Sequence, residues 1–220
     1  MPSCLPGMGG QEWCQIVRCD DEEVLVSTLI TPVGQLNRLG RHERRAERRR
    51  LKRHDALARQ LADLHAIRAL LGQAADVASG GWVQGAWFTV ATAGGEQAVT
   101  AYDLDLALNR PVTGACLVGA VVQAAGGPAT VRSQLVQRTL DLLWHALRDD
   151  PDRPVQWCPG PRMRMMGVLD LTHWNDAVGR TQGEVVGLLS AARQRADVQR
   201  AKCRAEQAKI DATHELLNRS

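Results

Sequence analysis

Between residues 36 and 78 the chain runs without a proline, and that stretch constrains everything around it. A proline inside a helix removes a backbone hydrogen bond and clashes with the preceding turn. A run of this length free of it can be one long helix. Its second half carries Leu57, Leu61, Leu64, Ile67, Leu71, Ala74 and Ala78, spaced by threes and fours, so all seven fall on one face. That half is expected to pack on a core. Ser79-Gly80-Gly81 closes it.

The first half, RLGRHERRAERRRLKRH, has no such apolar stripe and reads as an arm projecting from the body. From Arg38 to His54, nine Lys or Arg stand against Glu43 and Glu47 in a chain whose whole net charge is +3. On a helix, Arg41, Arg44, Arg45, Arg48 and Lys52 share a side, with Arg49, Arg50 and Arg53 flanking it. Guanidinium groups donate to phosphate in a fork and keep their charge. These eight are therefore the candidate nucleic-acid-binding residues. The plainer alternative is a solvated helix whose arginines reflect a GC-rich coding bias. No aromatic interleaves the run, so backbone contact without sequence preference is expected rather than stacking on bases.

The next segment, GWVQGAWFTVATAGGEQAVTAYDLD, alternates and is rich in Val, Thr and aromatics around Gly94-Gly95. It predicts a β-hairpin. After Pro111, TGACLVGAVVQAAGG reads as a short buried helix. Residues 129–149 read as another, with Val131, Leu135, Leu142, Leu143, Trp144 and Leu147 as its apolar set. DDPDRPVQWCPGPRMRMMG is expected to be a Pro-rich loop, with Met163, Met165 and Met166 packing along it.

Thr181 and Glu184 make a Thr-x-x-Glu capping box for the last helix, whose buried face begins with Val185, Leu188, Leu189 and Ala192. Just before it, Asn175 and Asp176 suit an Asx turn and Gly179 a left-handed corner. Trp174 adds apolar area to hold the loop. Trp174, Asn175 and Asp176 thus read as the start of a helix, not as a site. Beyond residue 193 the face is expected to shift to Val198, Ala201, Ala205, Ala208, Ala212 and Leu216. That small-residue seam would take the basic N-terminal helix as partner, or support self-association through the terminal helices. A second basic stretch holds Arg193, Arg195, Arg200, Lys202, Arg204 and Lys209.

The result is a mainly α protein. A compact helical domain with a small hairpin spans 61–196, between a basic helical arm at 36–60 and a helical extension at 197–220. Residues 1–35 read as a weakly ordered leader. Cys4, Cys14 and Cys19 lie there without a Cys-x-x-Cys pair, so no metal site is assigned even with His42 nearby. AAGGPAT lacks the Lys-Ser/Thr of a phosphate loop, so no cofactor is assigned either. No secretory segment is visible, and the apolar run CLVGAVVQAA is too short for a membrane span, so a cytoplasmic protein without a membrane partner is expected.

One catalytic arrangement competes. Cys116 follows Gly114-Ala115 at an expected helix N-terminus, where the dipole favours a thiolate. Gln84 upstream and His173 downstream complete a papain-like order, with His145 and Asn175 also in range. The alternative for Cys116 is a small core residue.

Three pieces carry a resemblance: GWVQGAW at 81–87, CLVGA at 116–120 and WNDAVGRTQGEVVGLLSAA at 174–192. Together they resemble a family of uncharacterised small domains from actinobacteria and their phages. The resemblance covers residues 64 to 196 and neither basic extension. It implies a compact, mainly helical domain in a mobile-element setting and transfers no functional residue. The function expected is a non-enzymatic accessory or regulatory protein binding nucleic acid non-specifically. A thiol hydrolase built on Cys116 and a helix-mediated assembly protein are the alternatives.

Overall fold

The computed structural model describes residues 40–148, 155–157 and 159–219, of which 216–219 are described as backbone only. The leader at 1–35, with Cys4, Cys14 and Cys19, lies outside the described residues. The chain divides into two units, Met1–Arg44 and Arg45–Ser220. In the first, Gly40–Arg44 form a helix start. The Gly40 amide donates to Glu43 Oε2 at 2.7 Å, and the Arg44 amide donates to the Gly40 carbonyl at 3.0 Å.

The elements in chain order are α1 (Arg41–Gly80), β1 (Phe88–Thr92), β2 (Gly95–Val99), β3 (Val112–Ala115), α2 (Leu117–Ala124), α3 (Gln134–Leu147), α4 (Pro161–Asn175) and α5 (Gln182–Arg219). The fold is mainly α with one small antiparallel sheet of order β2-β1-β3. The expected hairpin is β1–β2, with Phe88 opposite Val99 and Thr92 opposite Gly95.

β3 was not expected, because four residues are too few to show alternation and the stretch reads equally as a helix start. Gly114 allows it to lie against its neighbours: a Cβ there would come within 2.7 Å of both Thr89 Oγ1 and Val83 Cγ1. The strand then turns directly into α2, which is buried from Leu117 to Val122. α2 sits this deep because residue 119 is glycine; a Cβ would run into the Trp87 carbonyl.

The core gathers around α2. Ile67, Leu71, Ala74 and Ala78 of α1 meet Phe88, Val90 and Val99 of the hairpin, Leu142 and Leu143 of α3, Leu171 of α4, and Val185, Leu189, Ala192 and Ala196 of α5. Each large side chain so buried contributes about 1.5–3 kcal/mol.

The Pro-rich segment does not remain a loop through residue 167. α4 begins at Pro161, the first helical position, where a missing amide costs nothing. Met163, Met165 and Met166 therefore lie on a helix, 49%, 57% and 46% exposed, rather than packed in a loop. Gly167 brings α4 against α3: a Cβ there would lie 3.4 Å from the Trp144 ring.

α5 does not bury the alanine seam that its sequence suggests. Val198 is 53% exposed and Ala201, Ala205, Ala208 and Ala212 are all exposed; Leu216 lies beyond the described side chains. The helix keeps the face that it starts with. Val185, Leu189, Ala192 and Ala196 lead on to Gln199, Cys203, Gln207, Ile210 and His214, in steps of three and four. The row of alanines comes from composition, not from packing.

That continued face pairs with α1. Arg53 bonds Glu206, Arg68 Nε bonds Asp197 at 2.9 Å, His54 and Gln207 meet at 2.8 Å, and His214 lies 3.8 Å from Glu47. Higher numbers on α1 meet lower ones on α5, so the helices run antiparallel. From Arg45 onward, then, the basic half of α1 is not a lone arm. It also has a stripe, with Leu51, His54, Leu57 and Leu61 partly buried, but the stripe is mixed polar and apolar.

Candidate functional site

The three sequence pieces behind the resemblance converge on one polar junction at the C-terminal end of α4. Asn175 is its centre and is fully buried. Its side-chain oxygen accepts from Trp82 Nε1 at 2.8 Å and from the Leu117 amide at 3.0 Å. Its nitrogen donates to the Val83 carbonyl at 3.1 Å and to Asp176 Oδ1 at 2.8 Å. Asp176 Oδ1 also accepts from the Gly85 amide, and Gln84 Nε2 donates to the carbonyls of Asn175 and Ala177.

An Asx turn before the last helix is thus not what Asn175 forms. It is the last residue of α4, and its carboxamide joins the 82–85 loop to the N-terminus of α2. A buried amide with both donors and both lone pairs engaged is a strong positional constraint.

The capping box beyond it forms as expected. The Glu184 amide donates to Thr181 Oγ1 at 3.3 Å, and the Thr181 amide donates to Glu184 Oε2 at 2.8 Å. That backbone bond, with the Thr181 hydroxyl and Arg180 beside it, holds the Glu184 carboxyl below its usual value. Arg180 also stacks 3.9 Å over the Trp174 ring and donates to the Trp174 carbonyl, and Gly179 takes φ 82° at the corner.

Cys116 caps α2 and is 1% exposed, with its sulfur accepting from the Gly119 amide at 3.3 Å. Burial pushes its thiol up to about 12, against the smaller lowering by backbone bonds. Gln84 is occupied by the junction carbonyls, His173 is exposed on α4, and buried His145 accepts from the Gln156 amide at 2.8 Å. Among the described residues no hydrogen bond links the Cys116 thiol to an imidazole. The cleft between α3 and α4, lined by Leu140, Asp141, Trp144 and Arg164 among others, encloses about 20 Å³, room for roughly one water. Asp141 and Arg164 form an ion pair at 3.0 Å along its wall.

The basic residues of α1 sort by helical phase. In the first unit, Arg41 is exposed and Arg44 half-buried. In the second, Arg50 belongs with the paired face: its guanidinium donates to both oxygens of Glu47, at 2.7 and 2.9 Å, and only 14% of its side chain is exposed. That bond lowers the Glu47 carboxyl and raises the Arg50 guanidinium. Arg53, still 64% exposed, engages Glu206. Arg45, Arg48, Arg49 and Lys52 are exposed, and none has an ion pair among the described residues. At roughly 100° per residue they occupy an arc opposite Glu47, Arg50, His54, Leu57 and Leu61.

Residues 58–195 match the family of unknown function DUF6197. The chain belongs to that family. No curated protein and no solved structure matches it. The DUF6197 span holds the whole Asn175 junction and ends short of most of the α1–α5 pair, so Arg45–Arg53 and the α5 residues facing them lie outside it. Among the described residues no helix is long and apolar enough to cross a membrane.

The junction was only half visible in sequence. Its three pieces stand out as pieces, yet Asn175 reads as a local residue because Asn before a capping box ordinarily forms a turn. The signal for it is Trp82, since the indole N–H of a tryptophan that packs inward requires an acceptor.

Proposed function

We propose that this protein is a non-enzymatic accessory or regulatory protein, of a type carried by mobile elements, that binds nucleic acid non-specifically through the outward face of α1. One observation carries the reading. Arg45, Arg48, Arg49 and Lys52 point away from the packed face with no carboxylate partner among the described residues, whereas Arg50 and Arg53 are spent on carboxylates of the helix pair. A solvated helix tends to intersperse acidic residues. Here the nearest outward carboxylate is Asp55, beyond the cluster. The thiol-hydrolase alternative has less support, with Cys116 buried and its thiol pushed up to about 12.

Polyanion binding of this kind has a thermodynamic signature. Each phosphate neutralised on a duplex releases condensed counterions, so log affinity falls with log salt at about 0.9 per contact. An electrophoretic shift assay across a salt series tests it. Replacing Arg45, Arg48, Arg49 and Lys52 together by Gln lowers the slope by about 3.6, with circular dichroism unchanged. No shift of the unaltered protein at low salt, or an unchanged slope in the variant, would refute it.

A further inference from the structure

We propose that the basic surface is two-rowed: Lys202 and Lys209 of α5 form a second cation row beside that of α1, and the pair grips duplex nucleic acid by phosphates of both strands. This rests on the reading of α1 as a polyanion-binding helix and adds what kind of nucleic acid it takes.

The Arg53–Glu206 ion pair crosses from α1 to α5 and marks one edge of the helix pair. On α5, Lys202 stands four residues before Glu206 and Lys209 three after it, so both project along that same edge. On α1, Arg49 stands four residues before Arg53 and shares the edge as well. Lys202 and Lys209 are exposed and, like Arg49, have no ion pair among the described residues. With Arg53 and Glu206 neutralising each other, the edge keeps Arg49, Lys202 and Lys209 as its unpaired cations. On α1 it adjoins Arg45 and Lys52 of the outward arc, with Arg48 about 100° farther round from Arg49. By contrast Arg195 and Arg200 are half-buried and bonded, to the His145 carbonyl and to Asp197.

Packed helices lie about 8–10 Å apart. Cations on the near edges of two such helices are therefore spaced on the scale of a major groove, about 12 Å wide. A single strand offers one phosphate line, and one row suffices for it. A duplex offers two, and only the paired helices match both. A membrane surface is the other polyanion of comparable charge density. It is disfavoured because no aromatic side chain stands among these cations to enter the headgroup layer, and the exposed apolar neighbour, Val198 one turn before Lys202, offers little area for it.

The test compares the full chain with a Lys202→Gln, Lys209→Gln variant on a duplex DNA of random sequence, on one of its single strands, and on vesicles of phosphatidylglycerol and phosphatidylcholine. Both lysines are exposed, so the variant's melting temperature should match the parent's. The two-row arrangement predicts that the duplex salt slope falls by about 1.8, from two lost contacts, while the single-strand slope stays as it was. An unchanged duplex slope overturns the second row and leaves the α1 reading standing. Loss of equal size on duplex and single strand also overturns it, because the lysines then act as general charge. Absence of any duplex binding by the parent chain removes both readings at once. Vesicle binding stronger than duplex binding at the same salt assigns the surface to lipid and overturns the proposal.

Discussion

The Asn175 side-chain oxygen accepts the Leu117 backbone amide at 3.0 Å, across 58 residues of sequence. That bond caps the N-terminus of the most deeply buried helix with a side chain from the end of another. The same oxygen holds the Trp82 indole. One residue therefore fixes the hairpin approach, α2 and α4 relative to each other.

Replacing Asn175 by Ala should be among the most destabilising single changes in the chain. It leaves the buried Leu117 amide and the partly buried Trp82 indole N–H and Val83 carbonyl without their partner. Each unsatisfied group costs about 1–3 kcal/mol, and neighbours do not add fully, so a loss of about 3 kcal/mol or more is expected. Asn175→Asp keeps the two accepted bonds but sets a carboxylate oxygen against the Val83 carbonyl and Asp176, and should also destabilise. Urea denaturation measures both; a loss under about 1 kcal/mol for the Ala variant would contradict the junction's role.

Thr181→Ala should cost about 1 kcal/mol, with Thr181→Ser near neutral, as for other capping hydroxyls. The box also has a pH signature. Glu184 titrates below its ordinary value of 4.5 in the folded protein because it accepts the Thr181 amide. Its contribution is fully present above that ordinary value and is lost as pH falls through the lowered one. A Glu184→Gln variant should therefore differ from the parent at neutral pH and converge with it in acid. A difference that persists unchanged to pH 2 would contradict the assignment.

Cys116 should react with a disulfide reagent only as the protein opens. Its thiol is 1% exposed and pushed up to about 12 by burial, so neither access nor thiolate is available at neutral pH. The measurement is labelling of Cys116 by mass spectrometry over a denaturant series, with the rate rising in step with unfolding. Rapid stoichiometric labelling in buffer alone would reopen the hydrolase reading.

What the sequence displayed and what it hid divide along contact range. α1, the hairpin and the Thr181–Glu184 cap were legible because periodicity, paired glycines and capping boxes are local signals. Asn175 was not, because its partners Trp82 and Leu117 are local to nothing near it. α5 hides its face for a different reason. Ala201, Ala205, Ala208 and Ala212 line up at helical spacing because alanine is common, while the true face mixes Cys203, Gln207, Ile210 and His214 and gives little hydrophobic contrast. The basic run was plain to see, yet which of its cations turn inward depends on the phase of a partner helix. Hence the sequence places Arg50 beside the outward residues, and does not separate Lys202 and Lys209 from the other cations of the second basic stretch.

The pairing of α1 with α5 makes the last prediction. Between Arg45 and Leu57 its apolar content is small: Leu51 and Leu57 on one side, Cys203 and Ile210 on the other, with ion pairs and His54–Gln207 between. Exposed ion pairs contribute little, about 0–1 kcal/mol each, so this part of the molecule should open locally at lower free energy than α2. Ile210→Asp places a charge into that thin seam. In hydrogen exchange, residues 45–57 and 199–215 should lose protection together in this variant, while residues 117–124 keep theirs. Because the outward cations are ordered only while α1 is helical, the same variant should bind duplex more weakly, and added duplex should restore part of the protection. Protection of 45–57 that is indifferent to Ile210→Asp would mean that α1 stands without α5, and the pairing would then have no part in presenting the basic face.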